Sequence, residues 1–310
     1  MDYKPCYLEV YQSGRLAQVR DSLLKALGEC HLCPRDCGVN RLKGELGFCQ
    51  TPKQMKIASY SPHFGEESPL VGRHGSGTIF VSSCNLLCVF CQNYEISHLR
   101  EGQYMDAKEV AHIMLALQQM GCHNINIVTP SHVVPMWVEA LVEAIPMGLS
   151  IPIVYNTSAY DSLETIKALE GIVDIYMPDF KFWSEESSKK YLRAADYPQV
   201  AREVIKEMHR QVGDLKMDER GIAIRGLLVR HLVMPGLVHE TKEIMRFLAE
   251  EISKDTYVNV MDQYRPCGNA YSYPEISRRL MSEEYKLAIK YAKDAGLHRL
   301  DPRVRFFMVF

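Results

Sequence analysis

The sequence predicts an α/β protein built on a partial or complete (β/α) barrel of parallel strands. The first observation is a series of six short apolar runs, each followed by a segment of helical periodicity, between residue 78 and about residue 295. Repeated strand–helix units imply parallel strands with right-handed crossovers. The second observation is the unit length of about 25 to 50 residues, which suits a barrel or a doubly wound sheet. The third is that no GxGxxG or Walker loop follows the first strand, which disfavours a dinucleotide-binding fold.

The strands are predicted from apolar runs and the helices from apolar positions three and four residues apart. The strands fall at 78–83, 124–128, 153–155, 173–177, 226–233 and 257–261, and residues 304–310 are a candidate for one further strand. The helices fall at 13–27, 107–120, 161–171 and 241–252, with others starting at 131, 184 and 196 and the last ones reaching about 295. Asp106 and Glu109 give the helix at 107–120 a capping-box start.

Two domains are expected. Residues 1–74 form an irregular N-terminal extension with one helix, and its stretch from Cys30 to about Gly77 is rich in Gly, Pro and Cys and therefore indicates mostly loops. Residues 75–310 form the barrel domain. A chain of 310 residues can bury a full core without disulfides.

Composition and charge exclude several classes of partner. The net charge is -2, from 36 basic and 38 acidic residues, which argues against nucleic acid or an anionic membrane as a partner. No stretch is long and apolar enough to span a bilayer, and the start of the chain lacks the apolar core of a secretory signal. The expectation is a cytoplasmic protein, whose ten cysteines stay reduced and more often hold metal than form disulfides.

Three cysteines lie close together in the loop after the first strand, at Cys84, Cys88 and Cys91. Thiolates are soft ligands that suit iron–sulfur clusters and zinc. A structural zinc site needs four ligands, whereas three ligands leave an open metal position, which is typical of a catalytic site. The loop therefore predicts a catalytic metal centre at the carboxyl end of the first strand.

Four more cysteines fall within twenty residues of the N-terminal extension, at Cys30, Cys33, Cys37 and Cys49. Either a structural zinc ribbon or a second iron–sulfur cluster fits this set, and a redox dithiol pair is a weaker third interpretation. We favour a structural metal slightly. The three remaining cysteines are expected to be small buried hydrophobes, at Cys6, Cys122 and Cys267.

Polar residues stand at the carboxyl ends of the other predicted strands, where chemistry gathers in parallel α/β folds. The set is Thr129, Asn156, Asp179, Lys181 and Arg230. Arg230 and His231 are neighbours on one strand, so only one of them can face the barrel interior. We expect Arg230 there, because a guanidinium pairs bidentately with a carboxylate. Five further residues are candidates for the substrate side: Asn93, Tyr94, Tyr155, Asn259 and Gln263.

The spacing of Cys84, Cys88 and Cys91, with the aromatic Phe90 before the last cysteine, resembles the signature of the radical S-adenosylmethionine (SAM) superfamily. Within it the chain is most similar to an uncharacterised branch resembling the activating enzymes of glycyl-radical enzymes, such as that of pyruvate formate-lyase. The similarity spans about residues 75–265. It is carried by Gly75–Phe80, Cys91–Asn93, Asp179–Lys181, and Arg230 with Val233–Gly236.

The resemblance implies a [4Fe–4S] cluster on the three cysteines and SAM bound to its open iron, with Thr129, Asn156, Asp179, Lys181 and Arg230 around it. It further implies reductive cleavage of SAM to a 5′-deoxyadenosyl radical, which abstracts hydrogen from a substrate such as a glycyl residue of a partner enzyme. A reduced flavodoxin- or ferredoxin-type protein would supply the electron. One departure stands out: the superfamily's Gly-Gly-Glu type turn is Thr129-Pro130-Ser131-His132 in this chain.

Two other classes of function compete with this one. A non-catalytic iron–sulfur electron carrier or a zinc-held binding protein explains the seven clustered cysteines but not the charged groups at successive strand ends. A zinc-dependent hydrolase needs His or carboxylate ligands beside an open position, and the sequence has no HExxH or comparable pair.

Overall fold

A computed structural model describes residues 3–302 of the chain. The described part is organised around one sheet of nine strands. They are β1 (Met55–His63), β2 (Ser76–Val81), β3 (Gln103–Met105), β4 (Ile125–Val128), β5 (Ile153–Thr157), β6 (Ile175–Pro178), β7 (Lys216–Met217), β8 (Ala223–Leu232) and β9 (Tyr257–Met261).

Helices alternate with these strands along most of the chain. They are α1 (Tyr7–Gln12), α2 (Arg15–Lys25), α3 (Ser68–Val71), α4 (Tyr94–Ser97), α5 (Ala107–Gln119), α6 (Val134–Ala144), α7 (Leu163–Ala168), α8 (Glu185–Leu192), α9 (Tyr197–Val212), α10 (Val238–Phe247) and α11 (Ser282–Asp294). The predicted start of α5 is confirmed, since Asp106 and Glu109 form a capping box. The apolar face of α5 is fully buried at Met114 and Leu117, which anchors the helix on the sheet.

The sheet confirms the predicted architecture. Six parallel strands follow one another in the order β2-β4-β5-β6-β8-β9. They are the six strands predicted from the apolar runs. β1 pairs antiparallel with β2, β3 with β1, and β7 with β8. Because the strand order in residues 3–302 has two ends, the sheet forms a partial (β/α) barrel.

The segment expected to be mostly loops contains a long strand. β1 occupies nine residues between Cys49 and Gly77 and pairs with β2, with Tyr60 opposite Ile79 and His63 opposite Ser76. The sheet therefore begins before residue 75, and the division into domains at that position stays a prediction. The strand expected at 304–310 lies outside the described residues.

Candidate active site

The eight residues predicted to hold a cluster and SAM line one cavity of about 230 Å³. The cavity lies where the parallel strands end. The eight residues are Cys84, Cys88, Cys91, Thr129, Asn156, Asp179, Lys181 and Arg230. Their convergence follows from the strand register, because residue 128 lies beside residue 156 and residue 179 beside residue 230.

The three-cysteine loop is wound tightly around its sulfur atoms. Ser83 and Leu87 have positive φ angles of 74° and 55°, which turn the backbone sharply on either side of Cys84. The amide of Leu86 donates to the Sγ of Cys84 at 3.3 Å. Such backbone donors stabilise a thiolate or a metal-bound sulfur.

The thiols of this loop need a positive charge to ionise. Burial raises the pKa of Cys84, Cys88 and Cys91, while the ammonium group of Lys181 lowers it in each case. Cys91 is also helped by Ser97, whose hydroxyl donates to its Sγ at 3.1 Å. Metal ligands must be deprotonated, so metal binding supplies the positive charge that these buried thiolates lack.

The donor set fits an iron–sulfur cluster. Three thiols around one cavity match the three protein ligands of a cubane with an open iron, and each thiolate then binds a different iron atom. In residues 3–302 no three His, Cys, Asp or Glu side chains converge on one point as the ligands of a single metal ion do. A cluster does not require such a point.

A network of charged and polar side chains forms another wall of the cavity. Lys181 Nζ donates to Asp179 Oδ2 at 2.7 Å, and Arg230 Nε donates to Asp179 Oδ1 at 2.7 Å. Arg230 Nη2 donates to Asn156 Oδ1 at 2.7 Å. Burial opposes the charged form of Asp179, but the cations of Arg230 and Lys181 outweigh it and hold the pKa of that carboxyl below its usual range. The wall is therefore ionised and rigidly hydrogen-bonded.

Arg230 and His231 lie on opposite faces of β8, as the period of a strand requires. Arg230 lines the cavity, the side expected from the sequence. His231 is buried against α10, where its Nδ1 lies 2.7 Å from the carbonyl oxygen of Phe180 and its Nε2 lies 2.8 Å from the hydroxyl of Thr241. Burial lowers the pKa of His231 to about 4, so the ring is neutral at pH 7.

Two adjacent glutamates extend the charged wall, and the sequence analysis did not single them out. Arg230 Nη1 lies 3.6 Å from Glu66 Oε2, and its Nε lies 3.9 Å from Glu67 Oε1. Glu67 accepts a hydrogen bond from Asn259 Nδ2 at 2.9 Å. Burial raises the pKa of Glu67 to about 7. Both glutamates precede α3 in a stretch without periodicity, so no pattern marked them.

Thr129 occupies a backbone conformation that favours glycine. Its φ angle is 63°, and its amide donates to the carbonyl oxygen of Asn156 at 2.8 Å. The left-handed region is costly for a β-branched residue and persists only where the surroundings impose it. The turn Thr129-Pro130-Ser131-His132 thus makes a glycine-like bend at the cavity without a glycine.

Ser158 also lines the cavity, and the sequence analysis did not name it as a candidate. Its buried hydroxyl has no hydrogen-bond partner among the described residues. An unsatisfied buried hydroxyl is unfavourable, so this atom is suited to a polar group of a bound ligand. Serine carries no periodic signal, and spacing could not have distinguished Ser158 from its neighbours.

The residues expected on the substrate side do not all share the cavity. Asn93 and Gln263 line it. Tyr155 is fully buried behind it, where its hydroxyl donates to Asp161 at 2.7 Å. Tyr94 stacks on a neighbouring histidine ring instead.

The four-cysteine segment forms a second, small pocket. Cys30, Cys33, Cys37 and Cys49 line it together with Arg41 and His132. A Cβ atom on Gly47 would lie 2.8 Å from Cys37 Sγ, so glycine is required for the turn to close on that sulfur. Burial raises the pKa of Cys33 to about 12, and the guanidinium of Arg41 approaches Cys30 Sγ at 3.9 Å. These four thiols share a pocket with a buried cation, but no three of them converge as the ligands of a single metal ion do.

No disulfide joins the ten cysteines, all of which lie within residues 3–302. Of the three scattered cysteines, Cys122 is buried, as expected, whereas Cys6 and Cys267 are only half-buried. No helix between residues 3 and 302 has the length and apolar character needed to cross a membrane.

The chain is similar to known proteins to different degrees. A family model for the radical SAM superfamily matches residues 78–248, more than half of the chain. An uncharacterised protein of Methanocaldococcus jannaschii, MJ0674, is 33% identical over 276 residues, which are 86% of this chain and 75% of that protein. The crystal structure of SuiB from Streptococcus suis is 14% identical with a TM-score of 0.48, and the match covers 71% of this chain and 46% of that one. The chain belongs to the radical SAM superfamily.

Proposed function

We propose that this protein is an activating enzyme that takes a hydrogen atom from a glycyl residue of a partner protein. The observation that carries the proposal is the convergence of Cys84, Cys88 and Cys91 with the Asp-x-Lys pair and Arg230 on one cavity. The resemblance of these same stretches to the glycyl-radical activating enzymes supports the substrate class. Superfamily membership itself implies a [4Fe–4S] cluster and SAM.

The three cysteines would hold the cluster, and Thr129, Asn156, Asp179, Lys181 and Arg230 would hold SAM. When bound, the cluster supplies the one electron that cleaves SAM to methionine and a 5′-deoxyadenosyl radical, which then abstracts hydrogen from the substrate. Lys181 and Arg230 offer cationic donors for the carboxylate of SAM, and Asp179 offers an acceptor for its amino group. The hydroxyl of Ser158, which has no partner within residues 3–302, can bond a further polar atom of SAM.

The wall of the cavity is suited to orienting a zwitterion because its own groups are already fixed. Asp179 is held by Lys181 and Arg230 at 2.7 Å each, so neither cation has to be ordered when the ligand arrives. Preorganised charges lose little conformational entropy on binding, which favours affinity.

Two further assignments, an electron donor and a second metal centre, complete the proposal. A reduced flavodoxin- or ferredoxin-type protein would deliver the electron. The four-cysteine segment would hold a second metal centre, either structural zinc or a second iron–sulfur cluster. The glycine at position 47, the thiols around one small pocket and the buried Arg41 support a metal there.

A non-catalytic electron carrier is the alternative. It would need the three cysteines of the loop and the protection of a cluster from solvent. It would not need a hydrogen-bonded row of Asn156, Asp179, Lys181 and Arg230 facing the open side of that cluster. The charged wall therefore favours SAM binding over simple electron transfer.

The test is SAM cleavage under anaerobic conditions. The protein is reconstituted with iron and sulfide, reduced with dithionite and supplied with SAM, and 5′-deoxyadenosine is quantified. Wild type and Cys122→Ala, a buried cysteine outside the site, are expected to form it, whereas Cys88→Ala is not. If an iron-loaded wild type forms no 5′-deoxyadenosine, either alone or with cellular proteins added as substrate, the proposal is contradicted.

The substrate class is tested by isotope transfer. Proteins from cells grown on glycine deuterated at the α carbon are freed of small molecules and added to the reaction. Deuterium in the 5′-deoxyadenosine is expected, because the radical would take the hydrogen from a glycyl Cα. Deuterium transfer only from the small-molecule fraction would overturn the activating-enzyme assignment while leaving radical SAM chemistry intact.

A further inference from the structure

One side chain joins the four-cysteine segment to the three-cysteine loop. Arg35 lies between Cys33 and Cys37, and its Nε donates to the carbonyl oxygen of Asn85 at 2.8 Å. Its Nη2 donates to the carbonyl oxygen of Leu86 at 3.2 Å. These two carbonyls belong to the residues that directly follow Cys84.

The same guanidinium also holds the end of α8. Nη1 donates to the carbonyl oxygen of Arg193 at 2.7 Å, and Nη2 donates to that of Leu192 at 3.1 Å. Helix C-termini leave carbonyls unpaired and favour a cation. Four hydrogen bonds to backbone oxygens come from one side chain that has five N–H donors. Arg35 therefore fixes the loop against the helix.

The position of Arg35 depends on the four-cysteine segment. Its guanidinium lies over the ring of Phe48, 3.8 Å from the centroid, and Phe48 directly precedes Cys49. Cysteines thus flank both Arg35 and the ring that carries it. The guanidinium also lies 5.1 Å from the ring centroid of Tyr160, so the four-cysteine segment and the barrel hold it together.

One peptide unit connects Arg35 to the sulfur atom of Cys84. The peptide between Asn85 and Leu86 accepts from Arg35 at its carbonyl oxygen and donates from its amide to Cys84 Sγ at 3.3 Å. Because a peptide is planar, fixing the carbonyl oxygen of Asn85 also fixes the direction of the Leu86 N–H, which points at the Cys84 sulfur. Hydrogen bonds to the sulfur ligands are among the factors that set the potential of an iron–sulfur cluster.

We infer that Arg35 is a positioning residue through which the four-cysteine segment sets the retention and the reduction potential of the cluster on the three-cysteine loop. The inference rests on the proposed function in one respect, that this loop holds a cluster. It assigns no contact with SAM or substrate to Arg35. It gives the N-terminal metal site a role in the chemistry of a centre that it does not touch.

The first test compares Arg35→Met and Arg35→Lys with a surface control, Arg246→Met, whose arginine pairs with Glu243 on α10. Two quantities are measured without SAM: the rate of iron release to a chelator and the midpoint potential of the cluster. Arg35→Met should release iron roughly tenfold faster or more, because losing one charged hydrogen bond is enough for that factor. Its potential should become more negative, because the donor to Cys84 Sγ is no longer held.

Arg35→Lys keeps the charge and should recover part of both quantities, and it serves as the test if the methionine variant does not fold. The control should match wild type. Wild-type values for potential and iron release in Arg35→Met and Arg35→Lys would overturn the inference. These readouts do not require SAM cleavage, so a shift without 5′-deoxyadenosine would retain the positioning role and refute the proposed function instead.

The second test asks whether Arg35 carries the effect of the four-cysteine segment. Cys33→Ala removes one ligand of that segment, and it should also speed iron release from the loop. Iron and zinc held by the segment alone are counted in the variant with all three loop cysteines changed to alanine. If Arg35 transmits the effect, the double variant Cys33→Ala with Arg35→Met should release iron no faster than the worse single variant. Additive effects would contradict the connection.

Discussion

Three carboxylates surround the guanidinium of Arg230, and Lys181 is the second cation among them. Asp179 lies at 2.7 Å, Glu66 at 3.6 Å and Glu67 at 3.9 Å. Breaking a buried ion pair by removing one partner leaves an uncompensated charge, and that is more costly than never having built the pair. The residue that would bind SAM is therefore also a residue on which the stability of the site depends.

Replacing Arg230 by methionine should lower the free energy of unfolding by about 3 kcal/mol, the lower end for a broken buried pair, because the pair is partly exposed and Asp179 keeps Lys181 as a partner. The loss should be accompanied by weaker SAM binding, because a carboxylate then meets only Lys181. Chemical denaturation of the metal-free protein and equilibrium binding of SAM to the reconstituted one provide the two measurements. Arg246→Met on the surface of α10 is the control and should stay within about 0.5 kcal/mol of wild type. Equal stability of both variants would show that the ion pairs contribute nothing.

The sequence identified the chemical residues of the cavity but not their supports. Thiolates and charged groups at strand ends carry a signal in their type and position, so Cys88, Asp179 and Arg230 could be named in advance. Arg35 could not, because its partners are backbone oxygens 50 and 158 residues away, and a carbonyl has no sequence identity. Ser158 could not be named in advance for a similar reason: its hydroxyl matters because it lacks a partner in the described part of the chain, and only packing reveals that.

Among the elements, β8 shows how a strand divides two tasks between neighbouring residues. Arg230 faces the cavity, and His231 faces the core against α10. Both hydrogen bonds of the imidazole are satisfied by Phe180 and Thr241, so the ring is held as a neutral group. A neutral buried histidine makes stability depend on pH.

The sign of that dependence follows from the direction of the shift. The pKa of His231 is lowered to about 4 in the folded chain, against about 6.5 in the unfolded one, so the unfolded state binds the proton first as the pH falls. The contribution is complete above pH 7 and decreases between pH 6.5 and pH 4. By pH 5 wild type should have lost about 2 kcal/mol relative to His231→Gln, which does not titrate.

Urea unfolding at pH 7.5 and at pH 5 measures this difference. His112→Gln, which changes an exposed histidine on α5, is the matched control and should follow the wild-type dependence. If wild type and His231→Gln lose stability equally between the two pH values, the ring is already charged or solvated in the folded chain.

The elements that the sequence predicted are those with strong periodicity. The six parallel strands are apolar because helices or the cavity cover both of their faces, and an apolar run is a clear signal. β1 was missed because it lies beside the outer strand of that series. Its middle is exposed at Ser59, Tyr60 and Ser61 and is followed by a proline, in a segment rich in Gly, Pro and Cys. Its pairing with β2 is a tertiary fact that local propensity does not encode.

At the scale of the whole molecule, the N-terminal extension is continuous with the barrel. β1 covers the outer edge of β2 through its full length, and Tyr7 and Leu16 of the first two helices are fully buried. Arg35 and Arg41 add hydrogen bonds from the four-cysteine segment to backbone oxygens of the barrel, at Asn85 and His132. The extension thus contributes a strand between β3 and β2, part of the core and hydrogen bonds that support the barrel.

A chain that starts at residue 75 should therefore fail to fold into a soluble monomer, although it contains every strand of the parallel series. Removing β1 leaves the hydrogen-bonding edge of β2 open, and an exposed apolar edge strand pairs with other chains. The apolar surface that Tyr7 and Leu16 cover would also reach solvent.

Size-exclusion chromatography and urea unfolding compare this chain with the full protein and with one that starts at residue 50, which keeps β1. Restoring β1 should recover part of the soluble material, because it closes the edge. The chain from residue 75 could instead be monomeric and unfold as cooperatively as the full protein. That result would show that the barrel is an independent domain and that it folds without the extension.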